Sequence, residues 1–340
     1  MALAEKGPKE ACMKGFASRP ALVAAAVFFI LGCNPCNDTD RVVLNVNDHA
    51  FAGPEFTVVT FNLLHGFGDA VNDATLDDRL NIVAQEVIAT LPDAVLFQEA
   101  SVTLPGTHCN VIETLVDRVN TALSAEGKGY NRVYARSNGS ADLIGFEEGS
   151  AILSLHEILS SDVTIYQHNP SSLPEFRIAL RVTLRGQSGD IDLFGTHLTN
   201  REDMEGSELV RTLQSRELAE VIIPGRGNTN PVVVGGDFND PPGTDTIVEM
   251  TDAGAVDMFV EGNPGVPGYT SFGKPFDITD PAEEPYKRID YLFFIDEGGE
   301  ITGSERFLDT ARDIDPGPGE SWLWASDHVG VWATFRPSGY

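Results

Sequence analysis

Eight side chains of the types that bind metal ions or transfer protons stand directly beside short apolar runs. They are Asn62, Glu99, His197, Asp237, Asn239, Asp290, Asp327 and His328. Carboxylate and amide oxygens are the ligands that hard divalent cations such as Mg²⁺ take in proteins. A histidine titrates near neutral pH and can therefore remove a proton from water under physiological conditions. These residue types are the ones that metal-assisted hydrolysis requires.

Short predicted strands must position these residues. Asn62 follows the apolar run Phe56–Phe61, Glu99 follows Asp93–Gln98, and His197 ends the run 191–197. Asp237 and Asn239 follow the run 231–235, and Asp290 begins the run 290–295. Asp327 and His328 precede the run 329–335. Side chains at strand ends can converge in one cleft, as in other open α/β folds.

Each of these residues also has an ordinary structural interpretation when it is taken alone. An asparagine after a strand is usually a turn residue, and a glutamate is usually solvated. A histidine after a strand more often forms a structural hydrogen bond than acts in catalysis. The functional hypothesis therefore depends on all eight residues occurring together in this order.

The segments that carry these residues resemble the endonuclease/exonuclease/phosphatase superfamily. The matching segments are Thr60-Phe-Asn62, Phe97-Gln-Glu99, 149–154, Gly195-Thr-His197, 235–239, 288–291 and Ser326-Asp-His328. They extend over residues 60–328, which is nearly all of the predicted mature chain. The combination of Gly-Asp-Phe-Asn with Arg-Ile-Asp-Tyr and Ser-Asp-His is specific. The resemblance implies a Mg²⁺-dependent phosphoric ester hydrolase, with Mn²⁺ as the alternative metal.

The resemblance also implies a role for each residue. Glu99 is expected to be the main metal ligand, with Asn62 adding an amide oxygen and Asp327 bound directly or through water. His328 is expected to be the general base, oriented by Asp290.

Three further polar residues have roles that the resemblance leaves partly open. Asp237 is expected beside the attacking water, as a base, a metal ligand or a residue that positions the water. Asn239 and His197 are expected to donate hydrogen bonds to the phosphate oxygens in the transition state. Protonation of the leaving group is the alternative role of His197.

The pattern predicts one catalytic domain over residues 55–337 in which strands and helices alternate. Thr75 is placed to cap a helix that Pro92 ends. Further helices are predicted at Val111–Leu123 and around 207–223. Strands are predicted at 56–61, 93–98, 133–135, 150–154, 176–184, 191–197, 231–235, 290–295 and 329–335, with loops at 262–287 and 309–325. Together with the resemblance, this pattern predicts a four-layer α/β/β/α sandwich of the deoxyribonuclease I type, with two mixed sheets face to face and helices outside.

The N-terminal segment has the features of an export signal. Residues 21–31 form an apolar run of 11 residues, whereas a membrane-spanning helix needs roughly 20. The run precedes Gly32-Cys33 and resembles a lipoprotein signal over 1–32, which implies a bacterial envelope protein anchored to the membrane through a lipidated Cys33. Met13 is the expected start, and residues 33–54 are the expected tether. An ordinary cleaved signal, giving a secreted protein, or an uncleaved anchor is the alternative.

Two cysteines of the expected mature chain have two interpretations. If Cys33 is lipidated, an exported protein could join Cys36 to Cys109 in a disulfide. A Cys-x-x-Cys zinc site is the other interpretation, but the sequence contains no second cysteine pair.

The formal net charge of −28 bears on the substrate. Such a charge repels polyanions, so we expect no stable nucleic-acid partner, and we expect a monomer. A lipid head group or a small phosphoester is the expected substrate, and the alternative is a secreted nuclease. Leu64 occupies a position that is acidic in abasic-site endonucleases, and His65 is a candidate substrate contact or a turn residue. Trp322 and Trp324 are expected either to rim the cleft or to pack beneath their loop.

Overall fold

The computed structural model describes residues 41–65, 70–103, 110–140, 146–170, 176–315 and 321–339. The predicted signal segment 1–32, with Met13, and the cysteines Cys33, Cys36 and Cys109 lie outside these ranges. Within the described ranges, no helix combines the length and the apolarity that crossing a membrane requires.

The strands are short and rich in β-branched and aromatic residues, which suits a pleated surface packed on one or both faces. In chain order they are β1 (Arg41–Leu44), β2 (Phe56–Asn62), β3 (Ala94–Thr103), β4 (Asn131–Ser140), β5 (Phe146–Ser154), β6 (Ile158–Ile165), β7 (Ile178–Leu184), β8 (Ile191–His197), β9 (Met204–Glu205), β10 (Glu208–Leu209), β11 (Val232–Asp237), β12 (Val256–Asp257), β13 (Asp290–Ile295), β14 (Glu300–Phe307), β15 (Arg312–Asp313), β16 (Trp322–Leu323) and β17 (Gly330–Arg336).

The helices are α1 (Ala70–Thr90), α2 (Val111–Leu123), α3 (Val210–Glu217), α4 (Asp245–Asp252) and α5 (Met258–Gly262). The side chain of Asn110 caps α2 by accepting a hydrogen bond from the Glu113 N–H. A π-helical turn over Leu218–Ile222 continues α3.

Among the described residues, most strands belong to two mixed sheets. The first has the order β1-β4-β5-β3-β2-β17-β14, and β2 and β3 are parallel within it. The second has the order β12-β13-β11-β8-β7-β6, and β8 and β11 are parallel within it. The other neighbouring strands in both sheets are antiparallel. Parallel pairs matter for function because both strands of a pair end at the same edge of the sheet.

Three apolar cores separate the layers. Side chains from both sheets, including Leu96 and Leu193, form the core between the sheets. Helices α1 and α2 cover the outer face of the first sheet. Residues of α4 and the π turn, such as Leu218 and Met250, cover the outer face of the second sheet. The predicted four-layer α/β/β/α sandwich is confirmed.

Two predicted element bounds differ from the structure for local reasons. Helix α1 begins at Ala70, so Thr75 lies inside it and does not cap it; the helix ends at Thr90, where Leu91 has a φ of 47° before Pro92. Residues 41–54, predicted as part of a tether, contact the domain. There β1 pairs with β4, and Phe51 is buried against Phe56.

Several elements were absent from the predicted pattern. They include β6, β14, α4 and α5, as well as several strands of two to four residues. Strand β6 forms the edge of its sheet, and its exposed Ser160 and Asp162 interrupt the apolar pattern that would indicate a strand. The short helices α4 and α5 lie in a region of the sequence rich in glycine, aspartate and proline, which favours turns.

Candidate active site

The parallel pair β2 and β3 brings the first two functional residues together. Asn62 at the end of β2 stands opposite Gln98 of β3 in the register. Glu99, the next residue of β3, therefore lies close to Asn62. The register of β3 against β5 shifts between Phe97 and Ala100, and Glu99 has a φ of 54° at this irregularity. The irregularity interrupts the alternation of the strand where the Glu99 side chain enters the site.

The second sheet contributes three residues from adjacent strands. Asp237 at the end of β11 is opposite His197 on the parallel strand β8 and opposite Asp290 on the antiparallel strand β13. The register alone therefore places these three side chains at one edge of the sheet. Asn239 follows two residues later with a φ of 54°, and its backbone N–H donates to Asp237 Oδ1 at 2.8 Å.

The loop before β17 brings Asp327 and His328 to the same edge. Strand β17 pairs with β2, so its beginning lies beside the end of β2. Segment 270–272 braces this loop: the Val329 N–H donates to the Thr270 carbonyl at 2.6 Å, and the Phe272 N–H donates to the Asp327 carbonyl at 3.3 Å.

The structure brings all eight predicted residues together around a cleft of about 800 Å³. Six of them line it: Glu99, His197, Asp237, Asn239, Asp327 and His328. The other two, Asn62 and Asp290, are each 1% exposed and lie directly behind the lining. Residues 273–278 also line the cleft.

His328 and Asp290 form a buried pair. His328 Nδ1 lies 2.8 Å from Asp290 Oδ2, and Nε2 lies 3.9 Å from Asp237 Oδ2. Burial by itself lowers the pKa of His328, but the charge and hydrogen bond of Asp290 outweigh burial and raise this pKa well above its ordinary value. The pair therefore fixes the ring so that Nε2 faces the cleft side of the site.

Asp237 is an electrostatically unfavourable carboxylate. Its Oδ2 accepts from Asn62 Nδ2 at 3.3 Å and lies 3.6 Å from His197 Nε2. Burial, followed by the charge of Asp290, raises the pKa of Asp237 from 3.8 to about 7. Asp237 can consequently exchange a proton near neutral pH.

His197 is held as a neutral imidazole. Burial and the nearby Arg177 lower the pKa of His197 well below its ordinary value. A neutral ring can donate one hydrogen bond without carrying a charge. The other predicted donor, Asn239, donates one Nδ2 hydrogen to the Leu198 carbonyl at 3.0 Å.

The donor set fits a divalent cation. Glu99 and Asp327 both line the cleft, and Asp327 has a pKa raised by burial, with Glu99 adding to the effect. A cation between carboxylates relieves such repulsion. The amide of Asn62 differs from the prediction: its oxygen accepts from the Leu64 N–H at 3.0 Å, and its nitrogen faces Glu99 at 3.2 Å. As it lies, Asn62 orients Glu99, and it would have to turn over to ligate a metal through oxygen.

Sequence reasoning missed a buried arginine that connects two site loops. Arg79 donates to the carbonyls of Leu63, Leu64 and Ala325 at 2.7, 3.0 and 3.2 Å. Two of these carbonyls directly follow Asn62 on one loop, and the third precedes Asp327 on the other. The available signal was an arginine three residues after Leu76, on the apolar face of the predicted helix.

Four more polar residues of the site region were not predicted as functional. Glu148 is 5% exposed on β5, and its Oε1 lies 3.8 Å from Arg177 Nη1. Lys274 and Asn200 line the cleft. No motif in the sequence pointed to these residues, because their relation to the site depends on the packing of distant segments.

Comparisons with known proteins agree with this fold. The chain belongs to the endonuclease/exonuclease/phosphatase family, whose family model matches residues 59–328. The resemblance inferred from the motifs is therefore confirmed. A search of curated proteins found no match.

Solved structures share the fold at low sequence identity. A family protein from Leptotrichia buccalis C-1013-b is 17% identical with a TM-score of 0.60 over 82% of this chain and 98% of that one. A family protein from Beutenbergia cavernae DSM 12333 is 21% identical with a TM-score of 0.59 over 84% and 72%. A mannosyl-6-phosphatase from Bacteroides thetaiotaomicron VPI-5482 is 16% identical with a TM-score of 0.60 over 82% and 99%.

Proposed function

We propose that this protein is a divalent-metal-dependent hydrolase of a small phosphoester or a lipid head group, with His328 as the general base. The observation that carries the proposal is the buried His328–Asp290 pair at 2.8 Å, which faces Asp237 across 3.9 Å. Family membership supports phosphoester hydrolysis as the reaction class.

Proton removal from water is assigned to His328. Asp290 accepts the Nδ1 hydrogen, so Nε2 is the atom that takes the proton. Asp237, beside Nε2, is placed to accept a hydrogen bond from the same water molecule and to orient it. The raised pKa of His328 means that Asp290 stabilises the imidazolium formed when the proton is taken.

Stabilisation of the phosphate oxygens is assigned to His197 and Asn239. His197 is neutral, and it reaches the cleft from the same sheet edge as Asp237. Preorganised donors of this kind act where negative charge develops in the transition state. Protonation of the leaving group is the alternative task for His197.

Glu99 and Asp327 would hold the metal ion, with Asn62 orienting Glu99. Mg²⁺ suits the carboxylate oxygens, and Mn²⁺ is the alternative. When bound, the ion would supply charge neutralisation and orientation of the phosphate.

The charge of the cleft supports a small phosphoester or lipid head group over a nucleic acid. Among the described residues that line the cleft, Lys274 is the only lysine or arginine, whereas the acidic lining includes Glu99, Asp237, Asp277 and Asp327. A nucleic acid needs several cationic contacts along its backbone. A compact substrate needs only the scissile phosphate to be neutralised.

Hydrolysis of a defined panel tests the proposal. The full chain, purified in detergent, is assayed with Mg²⁺, Mn²⁺ or EDTA on bis-p-nitrophenyl phosphate, sphingomyelin vesicles, phosphoinositide vesicles, plasmid DNA and RNA. We expect metal-dependent turnover of a small diester or a lipid, and its loss in Glu99→Ala. Rapid nicking of plasmid DNA, with no turnover of the other substrates, would show instead a nuclease.

We also propose that the protein is exported and anchored through a lipidated Cys33. The support is the apolar run 21–31 followed by Gly32-Cys33. Expression in a bacterial host with radiolabelled palmitate, followed by Cys33→Ala, tests this proposal. Incorporation in the original chain and none in the variant is expected; equal labelling of both would contradict it.

A further inference from the structure

A histidine and a second glutamate lie beside the carboxylate expected to bind the metal. His65 Nε2 is 3.7 Å from Glu99 Oε2 and 3.6 Å from Glu148 Oε2. One ligand atom from each of the three residues lies within 4.8 Å of the other two. Glu148 comes from β5, Glu99 from β3, and His65 from the loop after β2, so three separate segments converge here.

These separations are close to those that one metal ion imposes. Neighbouring ligand atoms about 2.1 Å from an octahedral ion such as Mg²⁺ or Mn²⁺ lie roughly 3.0 Å from each other. The two measured separations exceed this value by about 0.6–0.7 Å. Side-chain rotation alone can close such a difference without movement of the strands.

The three groups are held in place by their surroundings. The backbone N–H of His65 donates to Glu99 Oε2 at 3.1 Å, and the His65 ring meets the edge of Phe146 with centroids 5.3 Å apart. Both contacts keep the His65 imidazole over the Glu99 carboxylate. The side chain of Glu148 is 7% exposed, and that of His65 is 28% exposed, so the cluster is open to the cleft on one side.

A buried polar atom beside the cluster has no hydrogen-bond partner. His197 is 6% exposed, and its Nδ1 makes no hydrogen bond. This atom is 4.0 Å from Glu148 Oε1. An unpaired buried ring nitrogen is costly whether it donates or accepts, and it points to a ligand or a bound water molecule at this position.

We propose that His65 and Glu148 are further ligands of the cation that Glu99 holds, so that the site prefers Mn²⁺ to Mg²⁺. Imidazole nitrogen is a good ligand for transition-metal ions, whereas Mg²⁺ prefers oxygen and keeps its water molecules. With Asp327, the donor set is one histidine and three carboxylates, and the imidazole nitrogen in it favours a transition metal. This inference rests on the proposed function in one respect, which is the placement of the cation at Glu99.

Electron paramagnetic resonance of bound Mn²⁺ tests the ligand directly. The full chain is titrated with Mn²⁺, and electron spin echo envelope modulation is recorded on the complex. We expect ¹⁴N modulation from an imidazole ligand in the unaltered protein and its loss in His65→Gln. His49→Gln is the matched control, because His49 is exposed and lies outside the cleft lining.

Affinity gives a second measurement. We expect His65→Gln and Glu148→Gln each to weaken Mn²⁺ binding at least about 10-fold and to weaken Mg²⁺ binding less. Circular dichroism and thermal melting in EDTA check that both variants fold.

The outcomes separate this inference from the proposed function. Mn²⁺ binding that Glu99→Gln removes, without ¹⁴N modulation in the unaltered protein, would overturn the histidine ligand and leave the hydrolase proposal intact. Modulation that persists in His65→Gln would also overturn it, since another histidine would then be the ligand. Absence of any metal binding would overturn both proposals.

Discussion

At the scale of single residues, the site depends on carboxylates whose burial is unfavourable without a counter-charge. Asp290 lies 2.8 Å from His328, and its other oxygen has no hydrogen-bond partner. Asp237 lies at the same sheet edge and has a pKa raised by burial and by Asp290. Carboxylates buried at such a cost are typical of functional sites.

Replacement of His328 tests the assignment of the base. We expect His328→Ala to lower kcat by about 10³-fold, which is typical for loss of a positioned base. Asp290→Asn is expected to lower kcat and to move the acidic limb of the pH profile to lower pH, because it removes the charge that raises the pKa of His328. Steady-state kinetics from pH 5 to 9 provide the measurement. A His328→Ala variant with the original rate would show that another group is the base.

Because the pKa of Asp237 is raised, we expect replacement of Asp237 to increase the stability of the protein, and the increase should depend on pH. A carboxyl group whose pKa rises from 3.8 to about 7 on folding binds its proton more tightly when folded. The stability that this proton binding contributes at low pH is lost as pH rises toward 7. In EDTA, Asp237→Asn should therefore raise Tm more at pH 8 than at pH 5. An equal change in Tm at both pH values would contradict the shift.

At the scale of elements, helix α1 connects two loops of the site through one side chain. Arg79 is 1% exposed, and burial is the main reason that its pKa falls to about 10. Its three carbonyl partners belong to the loop after β2 and to the loop before β17. Movement of either loop would break these hydrogen bonds, so α1 fixes Asn62 relative to Asp327.

Arg79→Leu is expected to reduce both stability and activity. Three buried carbonyls would lose their donor, at about 1–3 kcal/mol for each unsatisfied group. Urea denaturation should show a loss of at least about 3 kcal/mol, and kcat should fall in the protein that remains folded. Arg118→Leu is the control, because the Arg118 side chain pairs with Asp77 at the surface and should change stability by less than about 1 kcal/mol. Similar effects of the two variants would refute the special role of Arg79.

The close approach of β8 and β11 depends on Gly236. A Cβ atom built at Gly236 would lie 2.0 Å from the Thr196 carbonyl oxygen, which belongs to the backbone of β8. Gly236→Ala must therefore separate β8 from β11, and those strands carry His197 and Asp237. We expect a loss of about 1–3 kcal/mol by urea denaturation, together with reduced kcat. Gly225→Ala has nothing within 4 Å and should change neither quantity.

At the scale of the whole molecule, the net charge of −28 opposes the approach of an anionic substrate. With metal at saturation, raising the salt concentration from 20 to 500 mM should lower KM for bis-p-nitrophenyl phosphate, because salt screens this repulsion. Lys274→Glu should raise KM at low salt, since Lys274 lines the cleft. The same reversal at the distant Lys128 should have less effect. A KM that rises with salt would indicate that the local attraction in the cleft dominates the overall charge.

The sequence alone predicted which residues meet in the candidate site and which fold family carries them. Seven of the eight residues stand at or near a strand end, and Glu99 stands at an irregularity inside β3. Each position can be predicted because a β-branched or aromatic run stops beside it. The bounds of α2 (Val111–Leu123), β8 (Ile191–His197) and β13 (Asp290–Ile295) were predicted correctly for the same reason. These features are local, so a single segment contains the information for each of them.

Only the tertiary structure decided how these residues contact each other. The left-handed backbone at Glu99, the direction of the Asn62 amide and the three carbonyl bonds of Arg79 all depend on segments far apart in the chain. The approach of His65 to Glu148 joins residues 83 positions apart, counting from 65 to 148. Such contacts arise from the packing of two sheets and the register of their strands. The periodicity of one segment therefore carries no information about them.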